Sequence, residues 1–225
     1  MRIVGGRWAG RYLASPGGRV RPTREEIRAD LFDRLGSDLA RARVLDLFAG
    51  TGALGLEALS RGATSVDFVE NGAPALHALK ANIARFRAKE WTRLFKKDAF
   101  TFLEAVRRAA AADSGQAEAK TEKPKASGEA DGTGAERVTR CPDPDRLPYD
   151  LVLADPPYTS RAPERLAALW LEAPFSRILC IEHAAERPLP RPGKRRVFGD
   201  TMVTTYRLED WKPRRPKPKR RPADG

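Results

Sequence analysis

Short apolar runs alternate with helix-spaced segments along most of this chain, and that alternation leaves few folds open. "ARVLDLFAG", "ATSVDFVE", "WTRLFKKDAF", "YDLVLADPP" and "SRILCIEH" read as strands. "TGALGLEALSRG", "APALHALKANIARF", "TFLEAVRRAAAA" and "APERLAALWLE" read as the helices between and after them. Another helix comes first: Ile27, Leu31, Phe32 and Leu35 share one face of "RPTREEIRADLFDRL", and Gly36 stops it. Strands joined through helices run parallel, with helices on both faces of the sheet. "RRVFGDTMVTTYRLE" breaks the rule, because its two strands meet directly around Gly199 and Asp200. The expected fold is therefore α/β: a mostly parallel seven-stranded sheet ending in an antiparallel hairpin.

A chain of 225 residues supplies one such domain with appendages. Residues 1–22 read as an extended, glycine-broken basic segment, and residues 23–211 as the domain. Residues 113–147 hold almost no large apolar side chain and read as a disordered insert. Residues 212–225 read as a basic, proline-rich disordered tail. The 42 Lys and Arg against 30 Asp and Glu give a net charge of +12, which favours a polyanionic partner. Cys141 and Cys180 lack metal-ligand spacing and read as free thiols in a reducing compartment, and no metal site is expected. No apolar run is long enough to span a membrane, and the N-terminus lacks a secretory signal's apolar stretch. The protein is placed in the cytoplasm, as a monomer.

"DLFAGTGALG" follows the first strand and contains Gly50-x-Gly52-x-x-Gly55, with Glu70 twenty residues beyond Gly50. That is the dinucleotide fingerprint of a Rossmann-like sheet, so a nicotinamide enzyme is one reading. Asp46 argues for another. A carboxylate beside a pyrophosphate is repelled, whereas one beside an ammonium and a sulfonium is attracted. S-adenosylmethionine carries both cations. Gly50 and Gly52 let backbone approach such a ligand closely. Glu70 can accept from both ribose hydroxyls. Asp98 can accept from the adenine amine, with the Ala99 N–H as a donor, or it can simply cap the next helix. With Phe48 in the turn, the expected cofactor set is Asp46, Phe48, Gly50, Gly52, Glu70, Asp98 and Ala99.

The fourth strand ends in Asp155-Pro156-Pro157-Tyr158. Two prolines remove two backbone donors but leave their carbonyls, and Asp155 adds two acceptor oxygens. A planar exocyclic amine has two hydrogens to give to such a corner. Tyr158 offers a ring for stacking a base, worth about 1–3 kcal/mol in single-stranded sites. Accepting an aryl amine's hydrogens frees its lone pair for in-line attack on a methyl group, and the base must be unstacked to enter.

The two motifs together resemble class I adenosylmethionine-dependent methyltransferases acting on exocyclic amines, whose [DNS]-P-P-[YFW] element matches Asp155–Tyr158. A closer resemblance is to the RsmD family, bacterial 16S ribosomal RNA guanine-N2 methyltransferases. It extends over "MRIVGGRWAGRYL", "RPTREEIRADLFDRL", "VLDLFAGTGALGLEALSRGA", "VDFVE", "DLVLADPPY" and "VFGDTMVTTYR". The resemblance implies chemistry at Asp155 to Tyr158 and RNA contacts at Arg7, Arg11, Arg21 and Arg24. It also implies 16S rRNA, or a small-subunit assembly particle, as partner. The insert and tail depart from the family pattern. Three alternatives stay open on the residues: a DNA adenine-N6 methyltransferase, a nicotinamide-dependent oxidoreductase, and a non-catalytic RNA-binding protein.

Overall fold

The computed structural model describes residues 1–15, 23–119 and 147–212. Seven strands form one sheet: β1 (Arg43–Leu47), β2 (Ser65–Glu70), β3 (Thr92–Lys96), β4 (Tyr149–Ala154), β5 (Ser176–Ala184), β6 (Lys194–Phe198) and β7 (Thr201–Arg207). Their order across the sheet is β3-β2-β1-β4-β5-β7-β6. The five central and β3-side strands pair in parallel, while β7 runs antiparallel to both β5 and β6. The expected fold class is thus the observed one.

Side-chain alternation along the strands sorts the helices. Val44, Leu151, Leu153 and Ile178 point into one core, beneath α1 (Thr23–Leu35), α2 (Ala53–Ser60) and α3 (Ala73–Arg85). Leu45, Leu47, Val152 and Leu179 point into the other, beneath α4 (Ala99–Ala119) and α5 (Ala162–Glu172). Strands buried on both faces read as continuous apolar runs, which is why the sequence showed them so plainly. Among the described residues, no helix is long and apolar enough to cross a membrane.

Two boundaries differ from expectation. Helix α4 runs on to Ala119, into the stretch read as insert from residue 113. Its run of alanines has the highest helix propensity of any residue, and that outweighs the lack of an apolar stripe. Residues 120–146, the rest of that stretch except the buried Leu147, lie outside the described residues. So do Arg21 and residues 213–225 of the basic tail, while Arg24 lies in α1 with its side chain outside them.

The N-terminal residues are not simply extended. Residues 1–15 fold back through a turn at Gly6–Trp8, and Arg2 bridges Tyr12. They dock on α2 and α3. Buried Glu57 accepts from the Val4 and Gly5 N–H groups at 2.8 and 2.7 Å. Asn82, also buried, accepts from the Ala14 N–H at 2.7 Å and donates to the carbonyls of Ala14 and Thr51. Fixed polar partners thus tie residues 1–15 to two helices.

Candidate active site

Parallel strands deliver their C-terminal residues to one edge of the sheet, and the register lines them up. Leu47 lies opposite Val69 on one side and Ala154 on the other, and Val69 lies opposite Phe95. Phe48, Glu70 and Asp155 therefore leave the sheet together. The chain travels outward from β1 to β2 and β3, then returns on the other side of β1 as β4. That reversal is the switch point at which open sheets bind ligands. The glycine turn and the acid-diproline corner flank it on neighbouring strands.

The glycine turn is built from left-handed backbone. Phe48, Gly50 and Gly52 have φ of +57, +58 and +80°. A phenylalanine in that region costs on the order of 1–3 kcal/mol, and such residues cluster at functional sites. The glycines differ in purpose. A Cβ at Gly52 would sit 2.4 Å from Leu79 Cδ1, and one at Gly55 would sit 2.4 Å from Phe68 Cε1. Gly52 lets the start of α2 pack against α3, and Gly55 lets α2 lie close on β2. A Cβ at Gly50 would find nothing nearer than the Phe48 carbonyl oxygen at 3.9 Å, so there the turn faces open space.

Three acids surround the turn. Asp46 is fully buried, and its Oδ2 accepts from the Gly55 N–H at 2.9 Å. Burial, opposed by that hydrogen bond but aided by the charges of Asp155 and Glu70, pushes its carboxyl well above the usual aspartate range. Glu70 is already engaged: Oε2 accepts from Gly50 N–H at 2.8 Å, and Oε1 accepts from Asn71 and Gly72 N–H at 2.9 and 2.7 Å. A carboxylate has about four acceptor positions. Two ribose hydroxyls can therefore both donate to Glu70 only if one turn amide lets go. Asp98 caps α4, its Oδ1 accepting from Phe100 and Thr101 N–H at 3.0 and 2.9 Å. The helix-cap role is thus present, with Oδ2 outside it, and Ala99 lies buried as the first residue of α4.

A cavity of about 750 Å³ opens beside Glu70, lined by Phe48, Val69, Glu70, Asn71, Lys97, Ala99, Phe100, Pro157 and the start of α5; Asp46, Gly50, Gly52, Asp98, Asp155, Pro156 and Tyr158 are not in that lining. That size suits a nucleotide-like ligand. Phe48 and Phe100 meet edge to face at 6.0 Å, forming an apolar wall. The Arg165 guanidinium stacks 4.0 Å from the Phe100 ring. Glu70 as an acceptor and the Phe48 and Phe100 rings in the wall fit an adenosine moiety, while Lys97, Arg161 and Arg165 bring positive charge to the same lining.

At the other corner, Asp155 is half-buried, Pro156 buried and Pro157 exposed. The Pro157 carbonyl is taken by the Ser160 N–H and hydroxyl at 3.0 and 2.7 Å, closing a turn. Among the described hydrogen bonds none falls on the Pro156 carbonyl. Tyr158 donates its hydroxyl to Glu182 Oε1 at 2.8 Å and shares a hydrogen bond with Thr201 Oγ1 at 2.9 Å. Burial and the neighbouring Glu182 charge push its phenol far up, so it stays protonated.

The arginines read as RNA contacts lie elsewhere. Arg7 stacks between the Trp8 and Trp91 rings at 4.2 and 4.4 Å, and Arg11 lies 4.6 Å from the Phe86 ring. Phe86 follows the C-terminus of α3, at the opposite edge of the sheet from the cavity. Neither arginine forms an ion pair among the described residues, so both keep their charge for an outside partner. Sequence reasoning missed Phe100, Lys97, Arg165 and Glu182. The first three have no motif, and only a lone acid near the end of an apolar strand signalled Glu182.

The model of the family described as Conserved hypothetical protein 95 matches residues 1–114, which hold the glycine turn and Glu70 and end before Asp155. Ribosomal RNA small subunit methyltransferase D of Escherichia coli strain K12 is 42% identical over 106 residues, 46% of this chain and 52% of the relative. The match thus spans about half the length of the first curated relatives. The Haemophilus influenzae protein of the same name is 26% identical over 220 residues, 92% of each chain. The solved structure of yhhF from Escherichia coli superposes with a TM-score of 0.64 at 27% identity, covering 92% of this chain and 97% of that one. The chain belongs to the Conserved hypothetical protein 95 family, which is the RsmD family.

Proposed function

We propose that the protein transfers a methyl group from S-adenosylmethionine to the exocyclic N2 amine of a guanine in 16S ribosomal RNA, as a cytoplasmic monomer acting on the RNA or a small-subunit particle. One observation carries the reading: Phe48 from the glycine turn and Pro157 from the acid-diproline corner line one cavity, and the two motifs follow the adjacent parallel strands β1 and β4. The names of the relatives, ribosomal RNA small subunit methyltransferase D, support the substrate class.

The cofactor supplies an electrophilic methyl group when bound. Phe48, Gly50, Glu70, Asp98 and Ala99 would hold its adenosine part, and the cationic end would lie near Asp46 and Asp155, its charge drawing the buried Asp46 carboxyl back toward the ionised form. The Asp155 carboxylate and the Pro156 carbonyl accept the two amine hydrogens and turn the nitrogen lone pair outward. Tyr158 supports the unstacked base. Positioning of this kind can lower a barrier by about 7–11 kcal/mol. Asp155 need not be a strong base, because the product ammonium is acidic.

Unmodified small-subunit particles incubated with labelled cofactor test the proposal, with the labelled nucleotide mapped afterwards. Label in an N2-methylguanosine supports it. Label in any other nucleotide, or no transfer by a chain that binds the cofactor, rejects it. Asp155→Ala should reduce transfer by a factor of at least about 100. Cofactor affinity should stay close to wild type.

A further inference from the structure

Tyr158 sits in a loop, where an aromatic side chain ordinarily pays entropy to adopt one orientation. Here the orientation is held from outside the loop. Its hydroxyl is fixed between Glu182 Oε1 at 2.8 Å and Thr201 Oγ1 at 2.9 Å. Arg187 donates to the Tyr158 and Ser160 carbonyls at 3.3 and 3.1 Å, and is itself paired with Glu164 of α5 at 2.5 Å. Glu182 is 8% exposed and Thr201 4% exposed, so neither anchor is a loose surface group. Glu182 accepts no other described hydrogen bond. A buried carboxylate is costly without a partner, and Tyr158 is that partner. The register places both anchors together: Glu182 near the end of β5 and Thr201 at the start of β7, with Ala184 opposite Thr201.

We propose that Glu182 and Thr201 are positioning residues: through the Tyr158 hydroxyl they set the plane of the ring on which the target base stacks. The inference rests on the methyl-transfer reading. A base stacked on that ring inherits its plane, and its amine then meets Asp155 at a fixed angle. The terminal hairpin, remote in sequence from the glycine turn, thereby controls the approach of the acceptor.

The test compares Glu182→Ala, Glu182→Gln and Tyr158→Phe on unmodified small-subunit particles. Glu182→Ala should lower kcat about 10- to 100-fold, the scale of a small misplacement of reacting groups. Its calorimetric Kd for S-adenosylmethionine should stay near wild type. Glu182→Gln keeps an acceptor oxygen and should recover most of the rate. Because both residues act through one hydrogen bond, the Tyr158→Phe, Glu182→Ala double variant should fall no further than the worse single. Wild-type kcat in Glu182→Ala overturns the proposal, and so does a Glu182→Gln variant as slow as Glu182→Ala.

A second measurement does not need turnover. Fluorotyrosine labelling gives resonances for the four tyrosines, and Tyr158→Phe assigns one of them. In Glu182→Ala that resonance alone should move toward the free-tyrosine position. An unmoved resonance overturns the anchor, even in a chain that transfers no methyl group. A moved resonance in a protein whose wild type transfers no methyl group overturns the methyl-transfer reading, and the positioning role with it.

Discussion

Alanine at Gly52 and alanine at Gly50 should separate folding from ligand binding. At Gly52 an added Cβ would lie 2.4 Å from Leu79 Cδ1 and 3.3 Å from Phe68 Cε1, on backbone at φ +80°. Left-handed backbone costs a residue with a Cβ about 1–2 kcal/mol, and overpacking a filled core costs about 1–3 kcal/mol. The sum, about 2–5 kcal/mol, is a large share of the roughly 5–15 kcal/mol that holds a domain folded. At Gly50 the backbone cost applies without the clash, because the nearest atom is 3.9 Å away. In a domain of this size each kcal/mol moves Tm by about 2–4 °C. Gly52→Ala should therefore melt about 4–20 °C below wild type, and Gly50→Ala about 2–8 °C below. Calorimetry with S-adenosylmethionine completes the comparison. The Gly50 methyl group would occupy the space over the turn, and a loss of about 1.4 kcal/mol there is a tenfold loss of affinity. Gly52→Ala melting with wild type would refute the packing argument. Undiminished cofactor affinity in Gly50→Ala would refute the close approach of ligand to backbone.

Two further outcomes are expected. The folded pKa of Asp46 lies above its unfolded value, so its contribution to stability is complete below the unfolded pKa and disappears as pH rises through the folded one. Asp46→Asn, which can still accept from the Gly55 N–H, should lack that decline when urea midpoints are compared across pH; a parallel pair of curves would mean the buried acid is not the cause. Arg7→Gln with Arg11→Gln should lower the dependence of log affinity for duplex RNA on log salt by about 0.9 for each phosphate the two arginines neutralise, leaving cofactor binding alone. An unchanged slope removes both arginines from the RNA surface.

The central strands were legible because they are buried on both faces, and "RVLDL", "YDLVLA" and "SRILCIEH" could hardly be anything else. The glycine turn and the Asp155–Tyr158 corner were legible because each needs residue types with special backbone properties. Their meeting followed from one rule about parallel strands. What could not be read was the partner of each polar side chain. Glu57 and Asn82 look like ordinary helix residues, yet they hold the N-terminal segment. Glu70 looked available for hydroxyls, yet three backbone amides already use it. The length of α4 was missed because a helix without an apolar stripe leaves propensity as its only signal.

Asn82 touches both Ala14 and Thr51, so one side chain belongs at once to the arginine-bearing segment and to the loop over which the cofactor would lie. Trimming the chain from its start to abolish nucleic-acid binding would remove two of the three described hydrogen bonds of Asn82 and two backbone donors from the buried Glu57 carboxylate, leaving it to Arg61 and Arg28. A shortened protein without activity would then say nothing about RNA. For this architecture, single side-chain replacements are the informative surgery and deletions are not.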